Sequence, residues 1–311
     1  MTPKFSADLL QATRLVRSGN LMEATSAIRR ALQGGQPPVR EDSATGVFAN
    51  SAGTRTYKTY LPSRHATRGL PLVVMLHGCK QNPDDFAAGT RMNQLAEELG
   101  FAVVYPAQSG KANVSACWNW YQPGHQRREA GEPSLIAGIT REVIARHHLD
   151  ARRVYVAGLS AGGAMAAVMG TTYPELYCAV GIHSGLGYAS ARDLPSALAA
   201  MKGKPGRKNG RAPNVGTVPM IVFHGDRDTT VHPRNGEHPM IDTLEKVEKG
   251  YANGRAYTRT THWNASGKPV LEHWLVHGAG HAWSGGSASG SYADPLGPDA
   301  SREILRFFKN R

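Results

Sequence analysis

Ser160 sits in Gly158-Leu159-Ser160-Ala161-Gly162, the stretch of this chain whose residue types and spacing suit covalent chemistry. The apolar run Val154-Tyr155-Val156-Ala157 precedes it and a helix-forming stretch follows. Strand, Gly-x-Ser-x-Gly and helix in that order describe a nucleophile elbow. So sharp a turn needs small residues two positions either side of the serine, and glycine brings no Cβ to clash. The free N–H groups and positive end of the following helix then lie where an oxyanion would form.

A serine hydroxyl is a weak nucleophile until a base takes its proton, and the base must be oriented by an acid. The strand expected at Val218 to Phe223 leads into His224-Gly225-Asp226-Arg227-Asp228-Thr229-Thr230-Val231, where two aspartates compete. The spacing His-Gly-x-x-Asp-x-x-Val selects Asp228 as the acid and leaves Asp226 as a turn residue. The strand expected at Val270 to Val276 leads into His277-Gly278-Ala279-Gly280-His281, whose small residues let His281 approach the serine as the base. His277, at the strand end, reads as structural. Ser160, Asp228 and His281 then follow one another in the order that a nucleophile elbow requires. Two backbone N–H groups must meet the oxyanion, one after the nucleophile and one after an earlier strand. Ala161 supplies the first and Cys79, following His77-Gly78, the second.

These residues need a sheet to hold them. Strands are expected at Val47 to Asn50, Arg55 to Leu61, Leu72 to Leu76, Phe101 to Tyr105, Ala179 to Ile182 and Arg255 to Thr261, besides those named. Helices are expected at Asp84 to Leu99, Pro133 to His147, Ala161 to Thr172, Pro239 to Tyr251 and Asp299 to Lys309. Such alternation implies an α/β architecture: a mostly parallel sheet with helices on both faces and its reactive groups beyond the strands' carboxyl ends. The long polar insertion Leu186 to Thr217 lacks the apolar stripe of a lipase lid. Ahead of residue 47, Ser6 to Leu32 reads as a helical hairpin and Gln33 to Gly46 as a linker, giving domains 1–46 and 47–311. One hairpin cannot cover its own apolar faces, so it must dock on the main domain, a partner or a second copy.

At 311 residues, with 41% hydrophobic residues, the chain fits one large domain and a small appendage. No run approaches the ~20 apolar residues of a membrane span. A net charge of +12, concentrated at Lys202, Lys204, Arg207, Lys208 and Arg211, reads as a solvated basic loop. With no nucleic-acid-binding signature beside it, nucleic acid is not an expected partner. The N-terminus has no signal-peptide core, which points to the cytoplasm, with the extracellular space as the alternative. Of three cysteines, Cys178 reads as a buried small hydrophobe.

Four stretches carry a family resemblance: His77-Gly78-Cys79-Lys80-Gln81, Cys117-Trp118-Asn119-Trp120, Gly158 to Met165, and Gly280-His281-Ala282-Trp283-Ser284-Gly285-Gly286. Together they resemble the polyhydroxybutyrate depolymerase family of esterases over roughly Val47 to Phe308. The resemblance implies the α/β-hydrolase fold, and a serine esterase cleaving short polyesters, aryl esters or feruloyl and acetyl esters. It places the family's triad on Ser160, Asp228 and His281, and it implies that Cys79 and Cys117 can pair, against which a reducing cytoplasm argues. The N-terminal hairpin departs from the secreted depolymerases, and so does the lack of a polymer-binding domain. Trp283 adjoins the base and reads as a wall of an apolar substrate pocket; Trp118 and Trp120 stand between that role and loop packing. No metal or organic cofactor is implied. Rival readings are an oligopeptidase with the same triad, or a granule-bound adaptor in which the hydrolase is vestigial.

Overall fold

The computed structural model describes residues 43–63, 69–204, 218–237 and 243–311. The chain divides into two units, Met1–Glu41 and Asp42–Arg311, so the expected N-terminal hairpin lies outside the described residues.

Continuous apolar runs build the centre of the second unit. Strands β3 (Leu72–Leu76), β4 (Ala102–Pro106), β5 (Val154–Leu159) and β6 (Ala179–His183) are buried at every position. With β7 (Met220–Gly225) and β10 (Pro269–Val276) they form the parallel middle of a ten-stranded sheet, in the order β4-β3-β5-β6-β7-β10. Strands buried on both faces read as unbroken Val, Ile, Leu and Ala, because helices cover both sides. An antiparallel hairpin extends each side of that middle: β1 (Ser43–Asn50) with β2 (Gly53–Tyr60) beside β4, and β9 (Arg255–Trp263) with β8 (Leu244–Ala252) beside β10.

Two buried clusters flank the sheet. One gathers Leu72, Val74, Val156 and Ile182 with Ile136, Ile139 and Val143 of helix α3 (Gly131–His147) and Met165 and Met169 of α4 (Ala161–Thr172). The other gathers Val73, Met75, Tyr155 and Phe223 with Phe86 of α1 (Pro83–Thr90), Leu95 of α2 (Met92–Leu99), and Ile304, Phe307 and Phe308 of α6 (Ala300–Lys309). The α/β architecture with helices on both faces therefore stands as expected.

Several boundaries differ. The expected single helix Asp84 to Leu99 is broken at Arg91, whose left-handed backbone (φ 55°) separates α1 from α2. Helix α5 (Leu194–Met201) lies inside the polar insertion and is held by a capping box between Asp193 and Ser196. Strand β1 begins at Ser43, ahead of the expected Val47. The helix expected over Pro239 to Tyr251 is wrong: its described part is strand β8. Asn253 and Gly254, with φ of 42° and 84°, close a two-residue turn that aligns β8 against β9. An Asn-Gly turn with both φ positive matches the right-handed twist of a hairpin and overrides the helical spacing of Leu244, Val247 and Tyr251.

Candidate active site

Ser160 follows β5 directly, with φ 56° and ψ −119°, a conformation that costs a non-glycine residue energy and persists only when its surroundings enforce it. The enforcement is visible. Ser160 N–H donates to His183 O at 2.8 Å, and Ser160 O accepts from Ala164 N at 2.9 Å. A Cβ at Gly158 would lie 2.4 Å from the Gly162 backbone, and one at Gly162 only 2.0 Å from Leu76 O. The elbow thus folds tightly onto the end of β3, and neither position tolerates a side chain.

Asp228 and His281 lie in loops after the neighbouring strands β7 and β10, and the structure brings them together: Asp228 Oδ2 is 2.7 Å from His281 Nδ1. A carboxylate can only accept, so the hydrogen sits on Nδ1 and leaves the Nε2 lone pair free. The other carboxylate oxygen, Oδ1, accepts from Thr230 N at 2.9 Å and Val231 N at 2.8 Å. Burial opposes the charge of Asp228, but hydrogen bonds from His224, His281 and Val231 outweigh it and hold the carboxyl far below the usual range. It is therefore ionised at neutral pH. Asp226 instead binds His277 Nδ1 at 2.9 Å and Gly278 N at 2.7 Å, and His277 Nε2 is engaged by Thr258 Oγ1 at 2.9 Å. That second pair clamps the two loops at their bases. Ser160 Oγ itself makes no hydrogen bond among the described residues.

The turn after β3 sits against the elbow, since a Cβ on Gly78 would be 3.6 Å from Ser160 Cβ. Within it Gly78 N donates to Gln81 Oε1 at 2.9 Å, Lys80 N to Ser115 O at 2.7 Å and Gln81 N to Gly78 O at 3.3 Å. Among the described residues Cys79 N has no acceptor, and Ala161 N, at the first position of α4, has none either. Cys79 is bonded to Cys117 in a disulfide, Cα to Cα 4.2 Å, which ties this turn to the Trp-rich loop.

Other parts of the site gave no signal in the sequence. Glu132, wholly buried at the start of α3, accepts from Asn119 N at 2.7 Å and Asn119 Nδ2 at 2.8 Å, from Gln108 Nε2, and from Arg55 at 3.4 Å. Gln108 N in turn donates to His77 Nε2 at 3.1 Å. One carboxylate thus organises the loop that backs His77 and Cys79. His183 is buried beneath the elbow, stacked between Phe223 and Trp283, and its Nε2 accepts from Ser284 N at 3.0 Å. Burial, then the nearby His224 and His281, push its pKa down to about 3. Buried titratable groups with several partners emerge only once the fold brings distant segments together.

The expectation for Trp283 needs correction, and Trp118 and Trp120 fall on the side of packing. Trp283 and Trp118 are wholly buried and Trp120 nearly so, and none lines the cavity in the insertion described below. Trp283 meets Phe86 edge-on at 5.5 Å and donates to Ser301 Oγ at 3.0 Å; Trp118 Nε1 donates to His77 O at 3.1 Å. Indoles carry a large apolar area plus one donor that needs a partner, so a site for each inside the core satisfies both. Cys178, expected to be buried, is part-exposed and donates to Arg152 O at 2.9 Å. A cavity of about 770 Å³ opens in the insertion, lined by Gln126, Arg192, Lys204, Arg234 and Asn235 among others and by none of Ser160, Asp228 or His281.

The sequence profile described as esterase PHB depolymerase matches residues 55–244. Poly(3-hydroxyalkanoate) depolymerase C of Paucimonas lemoignei is 30% identical, the alignment covering 83% of this chain and 67% of the relative. Feruloyl esterase B of Neurospora crassa is 30% identical over 84% and 89% of the two chains. Acetylxylan esterase A of Talaromyces purpureogenus is 30% identical over 79% and 71%. Among solved structures, an acetyl xylan esterase from Aspergillus awamori superposes with a TM-score of 0.63 at 20% identity, covering 87% of this chain and 99% of the other, which speaks for the fold alone.

Proposed function

The chain belongs to the esterase PHB depolymerase family and is a carboxylic ester hydrolase of the α/β-hydrolase fold, and from that premise we propose how it works and on what. Ser160 Oγ attacks the ester carbonyl while His281 Nε2 takes its proton. Asp228 holds the proton on Nδ1 and stabilises the imidazolium. The N–H groups of Cys79 and Ala161 receive the carbonyl oxygen as it becomes an oxyanion. His281 returns the proton to the departing alcohol, then draws one from the water that hydrolyses the acyl-enzyme. The hydrogen bond from Ser160 to His281 forms on substrate binding, when such contacts tighten. The observation that carries this reading is the 2.7 Å Asp228–His281 contact beside a serine held in the elbow conformation.

The substrates we propose are short polyester, acetyl and feruloyl esters, the classes named for the relatives above. The insertion supports short acyl groups. Its one described helix, α5, spans Leu194–Met201 and exposes Leu194 and Leu198, one turn apart, too little apolar surface to grip a long chain. A deep tunnel would add ~0.8 kcal/mol per buried methylene. In a panel of p-nitrophenyl esters, kcat/KM is expected to peak at about two to four acyl carbons. Labelling of the wild type but not Ser160→Ala by a fluorophosphonate tests the nucleophile. Activity that climbs steadily to long acyl chains would overturn the substrate class, and equal labelling of both proteins the mechanism. Turnover of peptides in place of esters would restore the oligopeptidase reading.

The disulfide suits an oxidising compartment better than the cytoplasm expected from the sequence, because cytosolic reductants keep thiols reduced. Among the described residues no helix is long and apolar enough to cross a membrane.

A further inference from the structure

Strand β8 closes one side of the ten-stranded sheet, and among the described residues no strand pairs with its outer edge. It is also conspicuously bare: Leu244 is 73% exposed, Val247 52% and Tyr251 74%. Edge strands of this length invite pairing with another chain unless something prevents it. The two-residue turn makes Ala252 and Arg255 a hydrogen-bonded pair, so even-numbered residues of β8 bond to β9. Glu245, Val247, Lys249 and Tyr251 therefore aim their backbone N–H and C=O groups at the free edge.

The side chains along that edge read Glu245-Lys246-Val247-Glu248-Lys249. Turned end for end, the pattern is its own charge complement. We propose that two copies of this chain pair antiparallel through β8, about a two-fold axis at Val247, continuing the sheet from one protomer into the next. In that register Val247 faces Val247 of the second copy, Lys246 faces Glu248, and Glu245 faces Lys249. Every flanking position opposes unlike charges, each pair appears twice, and the outward N–H and C=O groups of Val247 bond reciprocally. A two-fold at Glu248 would set glutamate against glutamate, and one at Lys246 or Lys249 lysine against lysine; like charges directly opposite destabilise a sheet.

The ends of the strand fit as well. Leu244 of one copy comes opposite Gly250 of the other, which carries no side chain, and the Tyr257 ring lies over that glycine: a Cβ there would be 2.5 Å from the ring. The leucine thus gains an apolar platform. Existing ion pairs survive the arrangement, because Glu248 keeps Arg259 at 2.6 Å on the β9 side and Lys246 at 3.0 Å along the strand. Glu245 retains its 3.8 Å approach to His262. The interface is isologous, as a two-fold requires. In the sheet order it lies five strands from β5, about 24 Å from Ser160 at ~4.8 Å per strand, so pairing leaves the ester site open.

Sedimentation velocity of the full chain over a range of concentrations tests this. The wild type is expected to shift from monomer to dimer as concentration rises. Val247→Pro removes only an outward N–H, which the β8–β9 ladder does not use, and is expected to be monomeric with unchanged ester turnover. Lys246→Glu with Lys249→Glu sets like charges opposite in the homodimer and is also expected to be monomeric. Mixed with the Glu245→Lys, Glu248→Lys variant, it is expected to recover a heterodimer. A wild type that stays monomeric throughout overturns the proposal. So does a dimer that survives Val247→Pro, or a charge-swapped pair whose mixture shows no heterodimer although each variant is folded and active.

Discussion

Asp226 and Asp228 each hold a histidine on the loop after β10, at 2.9 Å and 2.7 Å, yet the two pairs differ in their surroundings. Among the described residues His281 Nε2 has no hydrogen-bond partner, whereas Nε2 of His277 is taken by Thr258. Replacing Asp228 by Asn puts an N–H donor against Nδ1, moves the imidazole proton to Nε2 and removes the base. Asp228→Asn is expected to lower kcat about 10⁴-fold, as in the serine-protease precedent. Asp226→Asn should cost only a small part of that, since it loosens a clamp on the half-exposed surface. Steady-state kinetics on a soluble acetyl ester checks the pair, and comparable losses would reverse the assignment. The choice between the aspartates was open to the sequence because spacing from His224 and from Val231 is local: Val231 N and the aspartate sit on one turn. Glu132 and His183 were not, because their partners come from segments scattered along the chain.

At the scale of elements, the disulfide joins the turn after β3 to the loop before α3 across 38 residues. Closing a loop of that length removes chain entropy worth about 4 kcal/mol from the unfolded state. Cys79→Ser with Cys117→Ser is expected to lose up to about that much stability to denaturant. Its kcat is expected to fall more than its KM rises, since the turn also presents the Cys79 N–H. An unreduced, denatured protein should titrate as one thiol, Cys178, and as three after reduction; three before reduction would refute the bridge. The parallel strands were legible as apolar runs, since burial on both faces leaves no alternation to misread. The error fell at β8, where Leu244, Val247 and Tyr251 repeat at helical spacing. Their exposure explains it: no core face selected that spacing, and the Asn253-Gly254 turn decided the structure. Trp283 was misjudged for a related reason, because loop position in the chain does not reveal that it points inward.

Across the whole molecule, the layer under the elbow imposes an acid limit. His183 must stay neutral, because its Nε2 accepts from Ser284 N and Phe223 and Trp283 close over its faces. His77 is likewise pushed down, by burial first, with its bond to Gly78 O opposing. In the unfolded chain both histidines take up a proton below pH 6.5, the ordinary value, while folded His183 resists until about 3. Between those limits the unfolded state binds the extra proton, so the stability from a neutral His183 is complete above pH 6.5 and drains away as pH falls. The slope is about 1.4 kcal/mol per pH unit for each such histidine. Asp228 adds to the loss only near pH 4 and below, where its unfolded form begins to protonate. His183→Phe keeps a ring between Phe223 and Trp283 but cannot be protonated. The variant is expected to be less stable than the wild type at pH 7, because Ser284 N loses its acceptor, by about 1–3 kcal/mol. That deficit should shrink by about 1.4 kcal/mol per unit on acidification from pH 6 to 4, as only the wild type loses the His183 contribution. Denaturant unfolding of both proteins across that range decides the matter, and parallel curves would mean that His183 takes up its proton in the folded state.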